Sequence, residues 1–154
     1  MAWPMPAEIE CRPFDVLSLA ETQALARHIV EARIPAISVR QPWAHYIMHF
    51  GKDIENRRRR TSYRGWVMLH AGQRALVGAS PNMPRGAIIG LVEILDCVTT
   101  HESDWFLGPI GLVLGRRIGL VAPVTAKGRP ELIFLPGPPI LAEVANQLHM
   151  SSAG

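Results

Sequence analysis

Residues 37–71 read ISVRQPWAHYIMHFGKDIENRRRRTSYRGWVMLHA, and the rest of the chain is organised around them. A short apolar strand, 36–39, runs into Arg40. Pro42 suits the first helical position, where its missing N–H has no intrahelical partner to lose. Trp43, Ile47 and Phe50 recur at i, i+4 and i+7, which predicts one face of a short helix over 42–50. Gly51 stands where a helix stops in the left-handed conformation. Lys52, Glu55 and Arg57 leave that stop together and enter an extended segment, 52–57. Side chains alternate along a strand, so Asp53, Glu55 and Arg57 share a face and Lys52, at the junction, leans over it. A cation–carboxylate–cation set beside Trp43 and Tyr46 suits a planar polar ligand.

Outward from this centre, 63–71 reads as a strand and 72–84 as a loop. The run 86–98 is nearly continuous in β-prone aliphatic residues, as in a strand covered on both sides. A helical turn is predicted over 101–106, strands over 108–114 and 118–125, and a final strand over 131–135. A last helix spans 140–149, with a frayed tail at 151–154. Upstream, residues 1–17 are Pro-rich and extended, and Ser18-Leu19-Ala20-Glu21 forms a capping box opening a helix to about residue 32. Leu19, Ala26, Ile29 and Val30 make the apolar side of that helix, which serves as a packing element or as a surface for a protein partner.

With 154 residues the chain suffices for one ordinary domain and is too short for two. Hydrophobic residues at 48% against 19% charged mark a globular composition. The formal charge of +3 leans mildly toward anionic partners, and the run Arg57–Arg60 concentrates it. Cys11 and Cys97 form neither a metal-ligand pairing nor a disulfide framework, which points to a reducing cytoplasm. The N-terminus lacks the pattern of a signal peptide, and no apolar run is long enough to span a bilayer.

Gln41-Pro42-Trp43, Gly51-Lys52-Asp53-Ile54-Glu55-Asn56-Arg57, Tyr63-Arg64-Gly65 and Leu69-His70-Ala71 together resemble the ASCH family, whose small β-barrel is related to the PUA domains of RNA-modifying proteins. The family signature is G-x-K-x-x-E-x-R. Lys52, Glu55 and Arg57 keep its spacing, whereas Phe50 holds the glycine's place and Gly51 comes one residue late. Segments 84–90 and 105–111 extend the likeness, which covers about residues 36–136. The resemblance implies an α+β fold, a small PUA-like mixed β-barrel with flanking helices. It divides the chain into an N-terminal extension with one helix (1–35), the ASCH/PUA-like domain (36–136) and a C-terminal helix and tail (137–154). It also implies a pocket at the barrel mouth that takes single-stranded RNA or a modified nucleoside or nucleotide, with no cofactor or metal.

Glu93 lies within an apolar strand, where a carboxylate carries a desolvation penalty unless a partner satisfies it. Lys52 is the expected partner, facing it across the mouth. In ASCH-like amidohydrolases acting on N4-acetylcytidine, a lysine, a threonine and a glutamate form the catalytic set. By resemblance the first and last match Lys52 and Glu93, while the threonine's place is held by Glu55. The hydroxyl nucleophile is therefore missing, and a water activated by Glu93 or Glu55, with Lys52 stabilising the oxyanion, replaces it. Ribonuclease chemistry is the other hydrolytic alternative, with Lys52, Tyr46 or His70 as acid or base.

For a ligand, Trp43, Tyr46 and Tyr63 offer faces to an unstacked base, each stack contributing about 1–3 kcal/mol; Trp43 shares that role with core packing. Gln41 reads a base edge or caps backbone. Arg57 contacts ligand while pairing with Glu55, and His70 donates to a ligand or phosphate or sits as a satisfied interior histidine. Arg58, Arg59, Arg60, Arg64 and Lys127 track phosphates. His45 and His49 are spaced i, i+4 but lack the further ligands of a zinc site.

Overall fold

The computed structural model describes residues 17–152. The Pro-rich stretch 1–16, with Cys11, and the last two residues of the tail lie outside the described residues. Three helices, α1 (Leu19–Glu31), α2 (Trp43–His49) and α3 (Pro138–Ser152), flank five strands, β1 (Ala36–Val39), β2 (Ile54–Arg57), β3 (Gly65–Ala71), β4 (Ala87–Val98) and β5 (Ile110–Thr125). The strands form one sheet in the order β1-β3-β4-β5-β2. β1 pairs with β3 in parallel and every other pair is antiparallel. The sheet curls into a half-barrel, an α+β fold of the PUA-like kind. Its two edge strands are tied by a side chain, since Arg57 Nη2 in β2 donates to the Ser38 carbonyl in β1 at 2.6 Å. No described helix is long and apolar enough to cross a membrane.

Alternation along the strands builds two cores. One face packs Ile37, Val39, Val67, Leu69, Val92, Ile94, Leu112 and Leu114 against Ala44, Ile47 and Met48 of α2. The other packs Met68, Ile88 and Leu91 against Leu25, Ala26 and Ile29 of α1 and Leu141, Val144 and Leu148 of α3. Gly90 lets β4 and β5 close up: a Cβ there would meet the Ile118 carbonyl oxygen and Met48 Cε, each at 2.7 Å.

The capping box of α1 is present: Ser18 Oγ accepts from Glu21 N (3.1 Å) and Ser18 N donates to Glu21 Oε2 (2.8 Å). Its buried face differs from the expected one. Thr22, Leu25, Ala26 and Ile29 are buried, whereas Leu19 and Val30 are 54% and 50% exposed. Leu19 and Val30 lie at the two ends of the helix. The two strands expected over 108–125 are one strand. Gly115 and Gly119 interrupt the apolar run but not the pairing, because β-bulges absorb the register shifts against β4. The strand expected over 131–135 reduces to a bridge between Phe134 and Ala36, closed by hydrogen bonds of 2.7 and 3.0 Å. The turn at 101–106 stays outside any helix, and α3 begins at Pro138, ahead of the expected residue 140.

Candidate functional site

The site grows from the end of α2. The Phe50 and Lys52 amides both donate to the Tyr46 carbonyl, at 2.9 and 3.1 Å, around Gly51 at φ +68°. That left-handed glycine reverses the chain and aims Lys52 back beneath the helix. Lys52 is 2% exposed. Its ammonium donates to the Ile54 carbonyl and stands 3.6 Å from Glu55 Oε1. It also lies 5.6 Å from the Trp43 ring and 5.8 Å from the Trp105 ring, within cation–π range of both. Burial pulls its pKa below the ordinary lysine value, and the Glu55 carboxylate restores only part of that.

Glu55 sits opposite Leu112 in the β2–β5 register, on the α2 face, and is 7% exposed. Its second oxygen accepts from Arg57 Nη2 at 3.2 Å. Lys52, Glu55 and Arg57 thus form one continuous chain of contacts in which two cations share one carboxylate. Arg57 stands at the rim, its side chain 24% exposed. Its Nε is buried and has no hydrogen-bond partner among the described residues. Asp53, expected on the same face, turns instead to Ser103 Oγ at 2.5 Å. It precedes the paired part of β2, so the alternation does not bind it.

The aromatic wall is built by α2 and the 101–109 loop. Trp43 meets Tyr46 at 5.8 Å and Trp105 at 6.3 Å, both edge-on. Tyr46 is 5% exposed, packed against Trp105 and Phe50, and burial raises its hydroxyl pKa. Phe50, grouped with Trp43 and Ile47 on one helical face, is 36% exposed, whereas Ile47 is buried. Asn56 pins the loop: its Nδ2 donates to the Trp105 carbonyl (3.0 Å), and its Oδ1 accepts from Leu107 N (2.8 Å) and Gly108 N (3.1 Å). From beneath, Arg117 Nη1 donates to the Ile47 and Lys52 carbonyls at 2.6 and 2.9 Å. Trp105, Asn56 and Arg117 are the residues that the sequence reading missed. Trp105 and Asn56 carried a signal, in the Trp-Phe-Leu-Gly-Pro and Gly51–Arg57 blocks; Arg117 is placed by contacts with residues 65 or more positions away.

Several candidates stand elsewhere. Glu93 does not face Lys52. It sits opposite Trp66 in the β3–β4 register, on the α1 face, and accepts from Arg116 Nε at 2.7 Å and Nη2 at 3.3 Å. Arg116 also reaches Glu21 of α1 at 3.1 Å and lies 5.7 Å from the Trp66 ring. The partly buried carboxylate therefore has its cation, but from the neighbouring strand. Gln41 is wholly buried and serves the backbone: Oε1 accepts from His45 N and Nε2 donates to the Pro84 carbonyl, each at 2.9 Å. His70, 1% exposed, spends both ring nitrogens internally, Nε2 on the Ala126 carbonyl (2.7 Å) and Nδ1 on Ser38 Oγ (2.9 Å), and burial lowers its pKa. It stands as an interior histidine with both ring nitrogens held by protein groups.

Tyr63 donates its hydroxyl to the Trp66 carbonyl at 2.6 Å and lines a separate cleft. Arg58, Arg59 and Arg60 are exposed beyond the end of β2. Arg64 donates to the Thr61 and Tyr63 carbonyls and lies 3.5 Å from Asp96. Lys127 is exposed on another cleft with Arg129 and Glu131, away from Lys52. The His45 and His49 rings lie 4.5 Å apart, tilted by 45°, and no group of three or more metal-ligating side chains is gathered among the described residues.

The family model for the ASCH domain matches residues 37–119, more than half of the chain. That span includes Lys52, Glu55, Arg57, Trp105 and Arg117. No curated protein matches the chain.

Proposed function

Since the chain belongs to the ASCH domain family, we propose that it binds single-stranded RNA or a modified nucleotide at the Lys52–Glu55–Arg57 site. The observation that carries this reading is a charge imbalance around a buried pair: Lys52, buried, and Arg57, at the rim, share the one buried carboxylate of Glu55. Buried charges are ordinarily paired, so the surplus favours an electron-rich partner such as a base carbonyl or a phosphate. The buried, unpartnered Nε of Arg57 supports the same reading. The rings of Trp43 and Trp105 beside the ammonium suit an aromatic ligand. Arg58, Arg59 and Arg60 continue outward from Arg57 as phosphate contacts, with Arg64 alongside.

Hydrolysis of an N4-acylated cytidine is the second reading, favoured by the Lys52 ammonium standing 3.6 Å from Glu55 with its pKa drawn down. Glu55 takes a proton from water, the water oxygen bonds to the acyl carbon, and Lys52 steadies the resulting oxyanion. Collapse breaks the C–N bond and Glu55 returns the proton to the leaving amine.

The test is a titration of short single-stranded RNA and a panel of modified nucleosides into the wild-type, Lys52→Met and Glu55→Gln proteins, with product analysis. Lys52→Met is expected to abolish binding while the fold survives, because Arg57 still neutralises Glu55. Wild-type RNA affinity should fall with salt at roughly 0.7 log units per phosphate contact for each decade. Product in the wild type alone selects the hydrolytic reading. Undiminished binding by Lys52→Met would remove the site.

A further inference from the structure

A cleft of about 520 Å³ opens where α1 passes into β1. His28, Arg33, Tyr63, Ile133, Phe134 and Leu135 line it, and no carboxylate does. All of these but Tyr63 lie outside residues 37–119, so the cleft is made mostly by parts of the chain that the family match does not cover.

Arg33 is the informative residue. It follows the C-cap Ala32 at φ +52° and is the one non-glycine with positive φ among the described residues. The Ile34 amide donates to the Ile29 carbonyl at 3.2 Å, closing the helix in the manner of a Schellman motif, with Ile34 and Ile29 both buried. Glycine is the usual residue at this position, because a Cβ there strains the left-handed backbone. Arginine here is a local sacrifice of stability, and such outliers gather at functional positions. Its side chain brings a cation to a cleft that also holds the Tyr63 ring, whose hydroxyl bond to Trp66 keeps it in place.

The cleft is a separate one that lies near the Lys52–Glu55–Arg57 site. Arg57 bonds Ser38, and Pro35 of the cleft lies three residues earlier on the same strand path, about 10 Å at strand rise. The exposed Arg58, Arg59 and Arg60 lead from Arg57 toward Tyr63.

Resting on the RNA-binding reading, we infer that this cleft is a second nucleotide subsite, in which Tyr63 receives the base and Arg33 the phosphate of a strand held at Lys52. It lengthens the footprint beyond what the first site alone covers.

The experiment measures binding of a uridine dinucleotide and a uridine tetranucleotide to the wild-type, Arg33→Gly, Arg33→Asn and Lys52→Met proteins, with melting curves for each. Arg33→Gly should melt about 2–4 °C above wild type, because the strained backbone is relieved. It should bind the tetranucleotide about five- to tenfold more weakly, with a salt slope lower by about 0.7, and leave the dinucleotide unchanged. Arg33→Asn, which tolerates the left-handed conformation, should reproduce the affinity loss. Tetranucleotide binding equal to wild type in both Arg33 variants overturns the subsite. Lys52→Met should weaken both ligands; if it weakens neither while the Arg33 variants lose the tetranucleotide, the Lys52 reading fails and the cleft stands alone. No RNA binding by the wild type overturns both.

Discussion

The protein holds two ionic sets that look alike in sequence and differ in what surrounds them. Lys52–Glu55–Arg57 lies on the α2 face, with Lys52 and Glu55 side chains 3% and 9% exposed and cations outnumbering carboxylates. Glu93–Arg116–Glu21 lies on the α1 face, with Arg116 and Glu21 side chains 37% and 50% exposed and carboxylates outnumbering the cation. In the first set water is nearly gone and every charge needs a local partner. In the second, solvent screens the charges and Arg116 doubles as a cover for Trp66. A glutamate in an apolar strand therefore says that a cation is near, not which face it is on or whether a ligand completes the set.

The strongest way to break this contrast is to remove each carboxylate. Glu55→Ala leaves Lys52 buried without its anion and should destabilise the fold by about 3–5 kcal/mol, read from denaturant midpoints. Glu93→Ala, at the half-exposed set, should destabilise it by about 1 kcal/mol or less. Equal losses would show that burial does not separate the two sets.

Next in size is Arg117→Met, which strips the buried carbonyls of Ile47 and Lys52 of their donor. A loss of about 1–3 kcal/mol in chemical unfolding is expected, with weaker ligand binding because Lys52 loses its support. Stability without loss would place the support of Lys52 elsewhere.

The pH dependence sharpens the contrast further. Lys52 is drawn below its ordinary pKa, so at alkaline pH the folded chain releases a proton that the unfolded chain keeps up to about 10.4. Stability should rise with pH across that window, and Lys52→Met should abolish the rise. His70 acts at the other end. Its pKa is lowered in the fold, so the unfolded chain takes up a proton first as pH drops below about 6.5, and stability should fall toward the folded pKa. Thermal melts of His70→Gln from neutral to acid pH should lack that component. The smallest effect expected is that of salt: 1 M NaCl should abolish the remaining difference between wild type and Glu93→Ala and leave that of Glu55→Ala nearly unchanged.

Much of the fold was legible because it rests on local signals. The Ser18 capping box, the Gly51 stop, the alternation that sets Glu55 and Arg57 on one face and the long aliphatic run of β4 each need only neighbouring residues. The pairing of Glu55 with Arg57 was legible for the same reason, since the two lie two positions apart; that of Glu55 with Lys52 was not. The errors arose where a distant partner decides. Glu93 was assigned to Lys52 because both needed an opposite charge, yet Arg116 on the adjacent strand is nearer in the sheet. Gln41 and His70 looked like ligand contacts because their polar groups were unassigned; the Pro84 and Ala126 carbonyls, 43 and 56 positions away, take them.

By itself the sequence determined most of the elements, the G-K-D-I-E-N-R stretch that joins α2 to β2, and that Glu55 travels with Arg57, because helix caps, strand alternation and short ion pairs are properties of adjacent residues. The tertiary structure alone decided which face each charge occupies, that Trp105 rather than Glu93 stands over Lys52, and that Arg57 ties one edge of the sheet to the other. Those outcomes depend on how a curled sheet brings remote segments together and excludes water between them, and no short stretch of the chain encodes that.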